Sequence, residues 1–224
     1  IAVPASLALP DGSLYRLPPY DRAALTIEIE LLLDWCWPAL LGSEAPDTAR
    51  CSFLAEWQTA LDRLLALPKG WVLRDYHSPN LIWLPERQGA AKVGIIDFQD
   101  ALTGHAAYDL VSLLQDARLD VPAAIEAELL AHYCRSAAAC EPDFSQADFR
   151  FAYATLGAQR NTKILGIFTR LARRDGKPQY LRHLPRIWGY LGRNLAAPEL
   201  SGLRAWYDNF LPADIRGREP ASRR

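Results

Sequence analysis

The residues best suited to chemistry lie in Leu73-Arg74-Asp75-Tyr76-His77-Ser78-Pro79-Asn80 and, seventeen positions after Asn80, at Asp97 in Ile95-Ile96-Asp97-Phe98. Moving a phosphoryl group asks for little covalent help from a protein. It does need a carboxylate to hold and deprotonate the accepting hydroxyl, and oxygen ligands that fix magnesium on the donor phosphates. Asp75 suits the base, and Asn80 and Asp97 suit the two metal ligands. With 16 Asp and 4 Asn in 224 residues, an Asp and an Asn at this spacing arise by chance about 0.3 times, so the pair alone carries little weight. Structural roles compete for each residue singly: Asp75 capping a turn, Asn80 bonding its own loop, Asp97 capping a helix. They do not account well for all three together.

The flanking sequence says how these groups are carried. Trp71-Val72-Leu73 leads in as a short apolar strand, and Leu81-Ile82-Trp83-Leu84 leads out as another. Lys92-Val93-Gly94-Ile95-Ile96 is a third run, ending at Asp97, and the polar segment 85–89 predicts a hairpin. Both chemical groups are then expected in loops at the same edge of one small sheet.

Helical periodicity dominates the rest. Asp21 is placed to cap a helix with Leu25, Ile29, Leu32 and Leu33 on one face, ending near Pro38. Asp47 is placed to cap another carrying Phe53, Leu54, Trp57, Leu61, Leu64 and Leu65. A third is expected from about Ala107 to Ala117, and a fourth with Pro122 in its first turn and Leu129, Leu130 and Tyr133 along it. Ser145 opens a long segment to Ala172, residues 178–195 form another, and Trp206, Tyr207, Phe210 and Leu211 belong to a final helix.

Polar residues that punctuate these elements are candidates for an acceptor site. Asp100 sits in the turn of Asp97, where it suits either a hydroxyl or amine contact or a loop cap. Gln159, Arg160, Asn161 and Lys163 interrupt a long apolar helix, suiting either a sugar-binding cleft or a solvated face. Arg74 precedes the base and could neutralise an acid or meet phosphate. His77 suits substrate contact or loop ordering. Metal ligation by His77 is not expected, because no second ligand lies at the right spacing. His105, His132 and His183 read as surface or helix residues.

These motifs resemble those of the aminoglycoside phosphotransferase and choline kinase group, relatives of the protein kinases, whose catalytic loop places an Asp shortly before an Asn. That loop usually begins with His, where this chain has Leu73. The likeness continues in Gly104-His105-Ala106-Ala107-Tyr108-Asp109-Leu110, and it implies that Asp109 is a structural acid beneath the catalytic loop. Arg74-Asp75-Tyr76-His77-Ser78, Asp97-Phe98-Gln99-Asp100-Ala101 and Ile167-Phe168-Thr169-Arg170-Leu171 are similar to bacterial sugar kinases that phosphorylate the anomeric hydroxyl of N-acetylmuramate and N-acetylglucosamine in cell-wall recycling.

The resemblance runs from about residue 20 to 195. It implies an ATP- and Mg²⁺-dependent kinase acting on a small-molecule hydroxyl, with an amino sugar as acceptor. The alternatives are an aminoglycoside or choline kinase, or a non-catalytic pseudokinase-like binding lobe. A cationic acceptor would want an acid-lined pocket, whereas Arg and Lys are interleaved with the candidate residues here.

The implied fold is α+β and mostly α: the helical C-terminal lobe of a protein-kinase-like fold, with a small β-hairpin or sheet carrying the catalytic loop. Such enzymes also need a Gly-rich loop over the phosphates and a strand Lys paired with a helix Glu. Nothing before Asp75 reads as either, and Lys69, the one upstream Lys, lies in a Pro68-Lys69-Gly70 turn. The expectation is a lobe largely without its N-terminal partner and not active alone. Residues 1–20 would be a linker or remnant, 21–215 the lobe and 216–224 a basic tail. The absence of Met and the start at Ile1 fit a sequence that is part of a longer translation product.

Composition sets further bounds. A net charge of -1 speaks against a general nucleic-acid binder. Cys36, Cys51, Cys134 and Cys140 lack zinc-type spacing and read as buried free thiols of a cytoplasmic protein. No apolar run reaches the roughly 18 residues of a membrane span, and no signal peptide is evident.

Overall fold

The computed structural model describes residues 6–218 and Pro220. Parts of the expected terminal segments, residues 1–5 and 221–224 with Glu219, lie outside the described residues. In chain order the main elements are β1 (Leu7–Ala8), β2 (Leu14–Tyr15), α1 (Arg22–Leu31), a π-turn (Leu32–Cys36), α2 (Trp37–Leu41) and α3 (Asp47–Leu65). Then follow β3 (Gly70–Val72), β4 (Leu81–Trp83), β5 (Val93–Ile95), β6 (Leu102–Gly104), α4 (Ala107–Leu114) and α5 (Ala123–Cys140). The chain continues through α6 (Gln146–Arg174), α7 (Leu184–Leu195), α8 (Ser201–Phe210) and α9 (Ala213–Arg216). It is a mostly helical protein with small sheets.

Two compact units divide the chain: residues 6–21 with Leu67–Phe144, and Arg22–Ala66 with the segment from Ser145 onward. The first unit carries the short strands. β4 and β5 pair antiparallel with Leu81 opposite Ile95 and Trp83 opposite Val93, which is the expected hairpin. The remaining strand pairing departs from expectation. β3 does not join that hairpin; it pairs antiparallel with β6, Trp71 opposite Thr103. Leu102-Thr103-Gly104 is too short and too mixed to signal a strand by alternation, so one sheet was expected where two ladders form. Gly104 fits because a Cβ there would stand 3.0 Å from Val72 and 3.2 Å from Tyr20. Tyr20 in turn donates its amide to Thr103 at 2.8 Å and meets Tyr108 edge-on at 5.2 Å.

The second unit is built on α6, buried along most of its length. The Ser145 hydroxyl caps it by accepting from the Asp148 amide at 3.2 Å. At Gly166 a Cβ would overlap the Leu31 backbone, so α1 and α6 approach closely only because that position has no side chain. Phe53, Trp206, Tyr207 and Trp37 form an aromatic cluster, with Phe53 and Trp206 centroids 4.6 Å apart.

Several expected boundaries move for physical reasons. The helix read from Asp21 to Pro38 is interrupted by the π-turn, which inserts an extra residue into the turn and shifts the apolar face. Asp47 lies in the first turn of α3 rather than capping it, favourably placed against the helix dipole. Pro122 is the residue just before α5 rather than part of its first turn. Residues 178–183 form a tight 3₁₀ turn before α7, and Leu211 falls after α8 with α9 still to come. Cys36 and Cys134 are buried as expected, but Cys51 and Cys140 are exposed.

Candidate active site

The loop from Leu73 to Asn80 is a chain of tight turns. The Asp75 amide donates to Leu73 O at 2.8 Å around Arg74, which has φ 67°, and the His77 amide donates to Asp75 O at 2.9 Å. Three-residue turns of the first hand are rare and strained, so the surroundings must hold this one. The Asp109 carboxylate, in the first turn of α4, accepts from Leu73 N at 2.7 Å and Arg74 N at 3.1 Å. Asp109 therefore holds the backbone of the two residues that precede Asp75, through both of its oxygens.

Asn80 joins the two arms of the site. Its Nδ2 donates to the Asp75 carbonyl at 3.0 Å and to Asp97 Oδ2 at 3.3 Å, while its own carbonyl accepts from Ile96 N at 3.1 Å. The hairpin explains this closeness: Leu81 and Ile95 are cross-strand partners, so the residues just before β4 and just after β5 come out side by side. Asp97 has φ 61°, a conformation uncommon for a residue with a side chain, and it turns the chain sharply out of the strand. The Asp75 side chain is about half exposed (52%).

Asp97 and the Asn80 amide are hard oxygen donors of the kind magnesium accepts. With Asn80 Nδ2 committed to hydrogen bonds, Oδ1 is the atom of that amide suited to a cation. The described residues contain no cluster of three or more His, Cys, Asp or Glu side chains that could hold an ion by themselves. Two protein oxygen groups with phosphate oxygens completing the shell is an ordinary magnesium arrangement.

The remaining sequence candidates separate. His77 Nε2 lies 3.9 Å from Asp75 Oδ1, and Asp100 is an exposed residue of the turn after Asp97. Arg74 engages the loop scaffold through its backbone. Gln159, Arg160, Asn161 and Lys163 belong to the second unit, and they do not form a solvated face. Gln159, Arg160 and Asn161 are buried, and Lys163 pairs with Glu28 at 2.8 Å. Gln159 Nε2 donates to the other oxygen of Glu28 at 2.9 Å.

Two participants escaped the reading of the sequence. Gln99 Nε2 donates to Asp97 Oδ1 at 2.7 Å, so both oxygens of Asp97 are held by amides. Asp116, fully buried, accepts from Ser78 N at 3.2 Å, Arg118 N at 2.7 Å and Leu119 N at 3.2 Å. Burial pushes its carboxyl up, but those amide bonds, with His77 nearby, outweigh this and hold it below the usual carboxylate range. The signal for Gln99 is its place two residues after Asp97. The signal for Asp116 is a charged residue two positions after an apolar helix.

The model of the phosphotransferase enzyme family matches residues 10–149 of this chain. An N-acetylmuramate/N-acetylglucosamine kinase of Caulobacter vibrioides is 41% identical over 214 residues, covering 92% of this chain and 55% of that relative. Proteins of the same name from Neisseria meningitidis and Pseudomonas putida are 38% and 36% identical over 179 and 190 residues. These cover 79% and 84% of this chain and 52% and 55% of those relatives. The chain thus spans about half the length of the curated relatives it matches.

Proposed function

This chain belongs to the phosphotransferase enzyme family, and we propose that it supplies the catalytic half of an ATP-dependent kinase for an amino-sugar hydroxyl of the N-acetylmuramate/N-acetylglucosamine type. In this reading residues 21–215 are the C-terminal lobe of a kinase-like fold, and the acceptor is phosphorylated at its anomeric hydroxyl. The observation that carries the reading is the Asn80 side chain bonded both to the Asp75 backbone and to the Asp97 carboxylate. One candidate base and two candidate metal ligands are thereby held in a single constellation. The names of the relatives support the acceptor class.

Asp75 would accept the hydrogen bond of the incoming hydroxyl and aim its oxygen at the γ-phosphorus. As the new P–O bond forms and the bond to the β-phosphate oxygen breaks, the hydroxyl proton passes to the Asp75 carboxylate and ADP departs. Asn80 and Asp97 would hold Mg²⁺, whose charge offsets the negative charge of the phosphates when bound. Gln99 would keep Asp97 oriented, and Asp109 would keep the loop in register. Acceptor contacts fall first to His77, Asp100 and Arg74, all within a few residues of the base or of Asp97.

The experiment is a panel assay of the full-length protein that carries this chain, with ATP and Mg²⁺ against N-acetylmuramate, N-acetylglucosamine, aminoglycosides and choline. Turnover confined to the amino sugars is expected. Turnover of aminoglycosides or choline instead would move the acceptor class. No turnover together with no Mg²⁺-dependent protection by ATP against thermal unfolding would favour a non-catalytic binding lobe.

A further inference from the structure

Asp75 sits between two three-residue turns of the backbone. The strained turn around Arg74 precedes it and a second three-residue turn around Tyr76 follows it, each closed by one short backbone bond. The positive φ of Arg74 persists only where its surroundings over-determine it. The surroundings here are one polar stripe of α4 and its exit: Asp109, Ser112 and Asp116, at spacings of three and four residues. Ser112 and Asp116 are fully buried, with buried Tyr108, Val111 and Leu114 as neighbours, while Asp109 is half-buried.

Each member grips a different part of the loop. Asp109 takes the amides of Leu73 and Arg74, and the Ser112 hydroxyl reaches Arg74 O at 3.5 Å. Asp116 takes the amide of Ser78 at 3.2 Å, on the other side of Asp75. Asp116 is itself fixed, because its second oxygen accepts from Arg118 and Leu119. The helix stops at Leu114, short of the expected Ala117, which frees the chain to turn Asp116 onto the loop.

We propose that Asp116 is a positioning residue for Asp75, closing from the C-terminal side the clamp that Asp109 closes from the N-terminal side. The proposal rests on the reading of Asp75 as the base. A buried carboxylate outside the catalytic constellation thereby acquires a defined role, which is to fix the second turn so that the Asp75 side chain is held at one depth and angle. With Ser78 released, the turn around Tyr76 can relax, and misplacement by about 1 Å suffices to cost about a hundredfold in rate.

The test uses Asp116→Asn in the full-length protein, with Ser112→Ala as a second variant that leaves both acids in place. The expected result for Asp116→Asn is a fall in kcat of about tenfold or more, with KM for ATP and for N-acetylmuramate within about twofold. Ser112→Ala is expected to lower kcat less, in the same pattern. Against an Asp75→Asn background, Asp116→Asn should lower the residual rate no further, because its effect passes through Asp75. Hydrogen exchange at the Ser78 amide should speed up in Asp116→Asn whether or not the protein turns over.

An unchanged kcat, an equal loss in the Asp75→Asn background, or unchanged Ser78 exchange would each overturn the proposal. Near wild-type turnover of Asp75→Asn itself would instead overturn the reading of the base. The exchange measurement keeps the two failures apart.

Discussion

Asn80 Nδ2 stands 3.3 Å from Asp97 Oδ2, across the neck of a hairpin whose strands pair Leu81 with Ile95. Two groups seventeen positions apart in the chain are neighbours because everything between them folds back on itself. Substitution of either should therefore read out in the metal. Asp97→Asn and Asn80→Ala are expected to raise the Mg²⁺ concentration for half-maximal turnover at least about tenfold. Titration of Mn²⁺ binding to the ATP complex by electron paramagnetic resonance checks the same loss without turnover.

Asp109 has a stability readout of its own. Asp109→Ala leaves the amides of Leu73 and Arg74 without their carboxylate partner. Hydrogen bonds to a charged group contribute about 1.5–3 kcal/mol each, and relaxation towards water recovers part of that. A loss of about 2–4 kcal/mol in urea unfolding is expected, with wild-type stability returned by no substitution that lacks two acceptor oxygens.

The hairpin was legible because Leu81–Trp83 and Val93–Ile95 are short apolar runs on either side of a polar segment, and Asp75, Asn80 and Asp97 stood out because phosphoryl transfer demands particular residue types at particular places. The β3–β6 pairing was not legible, since three residues of Leu102-Thr103-Gly104 carry no period. Nor was the fate of Lys163 and Gln159. Periodicity marks a polar residue on an apolar helix, but it cannot tell a solvent-facing position from one that meets Glu28 more than a hundred residues earlier. The π-turn at Leu32–Cys36 failed for a related reason: the apolar spacing on both sides is helical, and only the close approach of α6 at Gly166 marks the place.

Gly166 gives a separate test of that packing. In Gly166→Ala the new methyl meets the Leu31 backbone, which is not a flexible side-chain end and cannot swing aside. A destabilisation of about 1–3 kcal/mol or more is expected from such overpacking. Gly189→Ala, where a Cβ meets nothing within 4 Å, is the control and should be neutral or slightly stabilising. Both are read by chemical denaturation.

The four thiols should divide by burial. Burial pushes the Cys36 thiol up to about 12, only partly offset by a hydrogen bond with Thr169. At pH 8 Cys51 and Cys140 should label with a maleimide in the folded protein, and Cys36 and Cys134 only after unfolding. The same shift has a stability consequence. The unfolded chain releases the Cys36 proton near 9 while the folded chain keeps it to about 12. The contribution of Cys36 is therefore complete below that range and declines as pH rises through it. Cys36→Ala should flatten this alkaline decline in thermal unfolding.

The most direct measurement is turnover of N-acetylmuramate with ATP and Mg²⁺ by the full-length protein carrying Asp75→Ala, with folding verified by its unfolding transition. A carboxylate that receives the hydroxyl proton contributes about 10²–10⁴-fold. A fall in kcat of that size with an intact fold is the expected result. Turnover within a few-fold of the unsubstituted chain would contradict the assignment of Asp75 as the base.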